Sequence, residues 1–249
     1  MRRLAFLVLI FFLVLGLDSF SCTLYWFTGA GIKKPAKEIA GMFSKSHHCR
    51  VVIISGGSGQ VLNEMLQAKK GDVYTLVDSN FLKEALRYGI VERYKKIVEL
   101  TPVFIVSKNA EGRIKSIEDL AKPDVKIAAA NPKAVAVGRV FYGIMKRLPD
   151  NLRNKIEKNV VVKCLNVLQI VGYVKSGVVD AGIVLDKVLI RDTNLKWIDI
   201  PKDYNIHRYA YVALIKYSSH KNEAKELYDF ILKHLDVYKR YGFELVKTN

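Results

Sequence analysis

The stretch SGGSGQVLNEM, residues 55–65, follows the β-branched run VVII (51–54) and opens an apolar-periodic segment. Strand, glycine-rich turn and helix, in that order, form the arrangement in which main-chain N–H groups at a helix start cradle an anion. No lysine stands where the G-K-[ST] ending of a nucleoside-triphosphate loop would place one, which argues against that chemistry. The turn instead offers one hydroxyl, Ser58, ahead of a helix beginning near Gln60. An N-cap serine has the same geometry, and the two roles can coexist.

Working outward, strands and helices alternate. TLYWFTGAG reads as a strand, and KPAKEIAGMFSKS as a helix with Pro35 in its first turn and Ile39, Met42 and Phe43 on one face. CRVVIIS is a strand, GQVLNEMLQAKKG a helix closed by Gly71, DVYTLVD a strand, and NFLKEALRYG a helix with its own terminal glycine. RYGIVERYKK reads as that helix end followed by an exposed turn. After a break at Thr101-Pro102 a second series begins. VFIVSK is a strand, SIEDLAKPD a short helix with Ser116 and Asp119 at capping-box spacing, and VKIAAANP a strand. VGRVFYGIMKRL is a helix, NVVVKCLN a strand, VLQIVGYVKSG a helix, and VDAGIVLD a strand. HRYAYVALIKYS then returns as a long strand, and EAKELYDFILKHLDVYKRYGF supplies one or two amphipathic helices. The expected fold is α/β: two lobes, each a mostly parallel sheet flanked by helices, joined by two hinge crossings near residues 102 and 203.

Bulk properties set the surroundings. The chain has 249 residues, half of them hydrophobic, ample for a buried core. It begins with MRR, then the uninterrupted apolar run Leu4 to Leu17 and DSFSC, the pattern of an export signal over 1–21. An uncleaved anchor is the alternative. Cys22 lies where a lipoprotein would be cut and lipidated, although Phe20 and Asp18 make a poor recognition site for that step. Cys49 and Cys164 are expected in different lobes and unbridged, as small semi-buried hydrophobes. The net charge is +16, spread along the chain as solvated helix faces would carry it, so charge alone selects no partner. His47-His48-Cys49 reads as a solvated turn, because adjacent residues do not readily converge on one metal ion. No Ser–His–Asp or Cys–His spacing argues for catalysis. Asp72, Asp180 and Asp186 read as local caps or hinge contacts.

From Leu24 to Phe243 the chain resembles the periplasmic molybdate- and tungstate-binding proteins, the solute receptors of ABC importers. The resemblance is carried by LYWFTGAGIKKPAKEIAGMF, SGGSGQVLNEMLQAKKGDVYTLVD, NPKAVAVGR, NVLQIVGYVKSGVVDAGIVLD and AKELYDFILKHLDVYKRYGF, in that order and spacing. It implies a type II periplasmic-binding fold, with 22–102 and 204–249 forming one lobe and 103–203 the other. It also implies an exported, non-enzymatic and cofactor-free monomer, in the periplasm or on the outer face of the cytoplasmic membrane, that does not bind nucleic acid. Such a receptor would hold a tetrahedral oxyanion between the lobes and deliver it to a membrane permease. Other anions (sulfate, phosphate, a small organic anion) and a sensing role for a signalling partner are the alternative readings.

Carried across residue by residue, the resemblance assigns the ligand to neutral donors: the Ser58 hydroxyl and N–H groups at Gly31, Gly59, Val137 and Val167. A helix start can desolvate a dianion in this way without a cationic partner. Two positions depart from the family pattern. Gly31 stands where a ligand serine is usual, and Leu185 where a tyrosine reaches the anion. At roughly 1 kcal/mol or more per hydrogen bond, the loss is tenfold or more in affinity unless Thr28, Asn131, Gln169 or Asp186 compensates. Arg139 reads as a surface or lobe-pairing residue rather than a charge-assisted ligand.

Overall fold

The computed structural model describes residues 20–246. The expected leader, apart from Phe20 and Ser21, lies outside the described residues. The first lobe begins with β1 (Cys22–Gly29), α1 (Lys33–His47), β2 (Cys49–Gly56), α2 (Ser58–Ala68), β3 (Val73–Val77), α3 (Ser79–Arg87) and β4 (Val91–Leu100). The chain crosses into β5 (Val103–Val106), β6 (Ile127–Ala130), α4 (Ala136–Met145), α5 (Asp150–Lys158), β7 (Val160–Cys164), α6 (Val167–Lys175), β8 (Ala181–Val184) and β9 (Lys196–Asp199). It returns as β10 (Arg208–Ile215), α7 (Lys221–Lys233), α8 (Asp236–Arg240) and β11 (Glu244–Leu245).

Two sheets result, in the orders β11-β4-β10-β3-β1-β2 and β7-β6-β8-β5-β9. The βα repeats give parallel pairs, β1 with β2 and β3, and β6 with β7 and β8. Strands that carry the chain into or out of a lobe run antiparallel: β10 beside β3 and β4, and β5 beside β8 and β9. The sheets are therefore mixed, within the two-lobed α/β fold that the alternation predicts.

Apolar periodicity becomes a continuous core. Ile39 and Phe43 of α1, Val61, Leu62 and Met65 of α2, and Trp26 and Tyr74 of the sheet are all buried. The Trp26 indole N–H donates to Thr75 Oγ1 at 2.6 Å, so its one polar atom is satisfied inside the core. The two crossings are tied together: Asn205 Nδ2 donates to the Pro102 carbonyl (3.0 Å), and Arg147 donates to the Asn205 carbonyl (2.6 Å).

Several local expectations change. RYGIVERYKK contains most of a ten-residue strand, β4, rather than a turn. Its residues 92–96 are exposed, which erases the alternation that marks a strand, while ring and lysine contacts cover it (Tyr94 against Tyr211, Lys96 over Tyr209). SIEDLAKPD makes only a 3-10 turn, Glu118–Ala121, although Asp119 does accept from the Ser116 N–H as a capping box requires. Helix α2 ends at Ala68 and is closed by Lys69, with φ 47°, two residues before the expected Gly71. The polar helix α5 has a single buried residue, Ile156, too little apolar signal to read from sequence.

Cysteine pairing also differs. Cys164 is buried and free, but Cys49 is bonded to Cys22, its register partner on the neighbouring strand. That bond uses the Cys22 sulfur on which a lipid thioether would have to form, so bridge and lipidation are mutually exclusive. Closing a loop of sequence separation 27 is worth about 3–4 kcal/mol in the chain-entropy picture. Cys49→Ser is expected to lower the thermal midpoint by several degrees, and reducing agent to lower the wild type to the same value. A midpoint that neither treatment moves would show that the bridge does not form.

Candidate anion-binding cleft

Four helix or turn starts meet between the sheets. From the first lobe come the 3-10 turn Ala30–Ile32 and the start of α2, and from the second the starts of α4 and α6. They enclose a cavity of about 20 Å³ lined by Gly31, Ser58, Val77, Ala136, Val137, Val167 and Leu185, together with Gly29, Ala30, Gly56, Gly57 and Val135. Taken as space for the centre of a water-sized sphere, that is a void of roughly 3 Å radius, about the size of a tetrahedral XO4 group. Among the described residues, no lysine, arginine, aspartate or glutamate lies on its wall.

Ser58 is the first residue of α2 and 4% exposed. Its carbonyl accepts from the buried Tyr74 hydroxyl (2.7 Å), which fixes the turn against the sheet. Its Oγ accepts from the Val77 N–H at 3.3 Å. With the acceptor side engaged, the hydroxyl proton is the group left to donate to a ligand. Across the cavity, Ala136 and Val137 open α4 and make no backbone hydrogen bond through their N–H groups. Asn166 caps α6 through the Gln169 N–H (3.1 Å), which leaves Val167 at the first position of that helix. The donors are thus main-chain dipoles and one hydroxyl, fixed by secondary structure and requiring little rearrangement.

The candidate positions divide. Gly31, Ser58, Val137, Val167 and Leu185 come together on the wall. Gly59 does not: its N–H donates to the Ala134 carbonyl of the opposite lobe at 3.0 Å and is already spent. Leu185 is 5% exposed and supplies only apolar surface. A Cβ on Gly31 would stand 3.3 Å from Val167 Cγ1, so the space a serine would use is taken by packing against α6.

None of the four suggested substitutes lies on the cavity wall. Thr28 Oγ1 is turned to the Gly29 carbonyl, Asn131 accepts from the Lys133 N–H, and Gln169 accepts from the Leu165 N–H. Asp186 binds the N–H groups of Val188 (2.9 Å) and Thr101 (3.2 Å), so it joins the first crossing to the strand end at Leu185. Burial pushes its carboxyl up from the ordinary carboxylate range, against those two N–H groups. Arg139 is off the cavity, its guanidinium 4.3 Å from the Phe81 ring of the other lobe.

Gly57, Ala136 and Val77 are wall positions that the motif reading did not single out. Gly57 had a signal, the doubled glycine before Ser58. An added Cβ there would lie 2.9 Å from the Leu165 carbonyl oxygen and 3.1 Å from that of Ala134; at Gly59 it would lie 2.8 Å from the latter. Both glycines allow the turn to close on the backbone of the opposite lobe. Gly57 has φ −62°, open to any residue, so its requirement is space rather than conformation.

The sequence profile of the family described as bacterial extracellular solute-binding protein matches residues 24–244. The chain belongs to that family. The putative ABC transporter substrate-binding lipoprotein YvgL of Bacillus subtilis is 27% identical over 221 residues, covering 86% of this chain and 83% of that protein. Among solved structures, the periplasmic molybdate-binding protein of Azotobacter vinelandii superposes with a TM-score of 0.75 at 20% identity, over 90% of this chain and all of that one. The sulfate-binding protein SubI of Mycobacterium tuberculosis gives 0.80 at 13% identity, over 91% and 88%. At these identities the structural likeness establishes the two-lobed fold.

Replacing Gly57 with alanine is expected to hold the lobes apart without removing a donor. At the usual 1–3 kcal/mol for overpacking, affinity for any ligand that needs the closed cleft should fall about 5- to 150-fold, with the ligand-free melting midpoint retained. Calorimetric titration with tungstate on Gly57→Ala measures this. Unchanged affinity would mean that the facing carbonyls yield to the methyl.

Proposed function

We propose that this protein is the extracytoplasmic receptor of an ABC importer and binds a compact tetrahedral oxyanion, molybdate or tungstate, between its lobes. The observation that carries the reading is the neutral cavity of about 20 Å³ with Ser58 Oγ on one side and the opening N–H groups of α4 and α6 on the other. A fully deprotonated dianion suits such a ring, since every oxygen accepts and none needs a proton acceptor. Monoprotonated phosphate would bring an O–H to a wall without a carboxylate. Sulfate shares the charge and shape of molybdate, and size is what separates them.

In this reading residues 22–102 with 204–249, and 103–203, are the two halves of a clamp, and 1–21 an export leader. Donors from both halves are satisfied together only when the clamp is shut, so ligand binding shifts the population toward the closed form that a permease would engage. The chain works as a monomeric carrier without turnover.

Calorimetry with molybdate, tungstate, sulfate and phosphate is expected to give equimolar binding of molybdate and tungstate, weaker binding of sulfate, and the weakest of phosphate. Ser58→Ala should weaken tungstate about 10- to 100-fold, the value of one hydrogen bond to a charged group. Binding of none of the four would overturn the oxyanion reading, and an unaffected Ser58→Ala would overturn the site.

A further inference from the structure

A second cavity, of about 420 Å³, lies on the flank of the inter-lobe seam, beyond the Gly59–Ala134 hydrogen bond. Its chemistry is the opposite of the first. Lys133, Arg139 and Lys146 reach it from the β6–α4 turn and α4, and Arg208 and Asn80 from the start of β10 and α3. We propose that this cavity is a second anion site, for a small organic polyanion carrying two or more carboxylate or phosphate groups.

Four cationic side chains share one concave surface, and among the described residues a carboxylate faces only one of them: Asp78 Oδ2 stands 3.8 Å from Arg208 Nε. At that separation neither atom is hydrogen-bonded. The Nε–H groups of Arg139 and Arg208 are both buried without an acceptor, an arrangement that costs free energy unless a partner arrives. Phe81 holds the Arg139 guanidinium from one side by a cation–π contact at 4.3 Å, which orders the group without neutralising it. In a third inter-lobe cavity, two of the four basic residues have carboxylate partners: Lys34 pairs with Asp192, and Arg240 with Glu38 and Asp236. What sets the Arg139 flank apart is that two of its guanidinium Nε–H groups are buried and without an acceptor.

Size separates the two ligands. A cavity of 420 Å³ falls in the range of small-molecule sites, far above one XO4 group. Charge-assisted hydrogen bonds from arginine suit carboxylate and phosphate alike. Because both lobes contribute, a bound polyanion would favour the closed clamp and so raise affinity in the central cleft by linkage. The site rests on the two-lobed fold and not on the identity of the cleft ligand.

The test is calorimetry with citrate and with inorganic pyrophosphate at ionic strength held constant with potassium chloride. Wild type is expected to bind at least one of them equimolarly, citrate alone indicating carboxylate chemistry and pyrophosphate alone phosphate chemistry. Arg139→Gln with Lys146→Gln should weaken that binding tenfold or more. Ser58→Ala should leave it intact, as should Lys155→Gln with Lys158→Gln, which removes the same charge from the exposed face of α5. If the Arg139 variant fails to fold, Lys133→Gln with Lys146→Gln, both exposed positions, decides the matter by the same tenfold criterion. The proposal is overturned if neither probe binds, if the α5 pair weakens binding as much as the flank pair, or if Ser58→Ala abolishes it.

Discussion

The Gly59 N–H donates across the inter-lobe seam to the Ala134 carbonyl, and every feature of the cleft depends on how closely those two backbones approach. A side chain at Gly57 or Gly59 would stand 2.9 Å or less from a carbonyl oxygen or ring carbon of a neighbouring segment. Glycine allows the start of α2 to lie against the turn before α4. That approach aligns Ser58 with Val137 and Val167 around a space of one small anion. The glycines commonly credited with wrapping an anion serve here at least as much to bring two backbones together.

Charge placement follows from the same geometry. In the central cavity, helix starts supply the positive end of the field, and no cationic side chain intrudes. Fixed main-chain donors act on distance, so a ligand of the wrong radius leaves some of them unmet. The cost of this arrangement is a small donor set. Gly31 and Leu185 reduce it further, and Thr28, Asn131, Gln169 and Asp186 all lie off the cavity wall. On the proposed function, Ser58 would carry a larger share of the binding than one hydroxyl among several.

Much of this was legible from residue order. Alternating βα segments predicted the two-sheet architecture, and the turn at 55–59, the start of α4 and the start of α6 predicted which backbone segments would converge. What was not legible depended on register or on distant pairing. Cys22 bonds Cys49 because β1 and β2 run parallel in a register that sets them side by side, a relation invisible along the chain. β4 was hidden by five exposed residues in succession. The Gly59 N–H, read as a ligand donor, finds a backbone partner 75 residues away, a pairing that residue order does not display. The basic flank is assembled from segments around residues 133–146 and 208, each unremarkable in a chain of net charge +16.

The central claim is that neutral donors from both lobes hold a compact oxyanion at the meeting of the helix starts. Anomalous diffraction from a crystal of the protein grown with tungstate tests it directly, because tungsten can be located without reference to the surrounding density. The account predicts one dominant peak between Ser58 Oγ and the N–H groups of Val137 and Val167, with no lysine or arginine side chain in contact. A dominant peak at the Arg139–Lys146 flank, or none within the cleft, would contradict it.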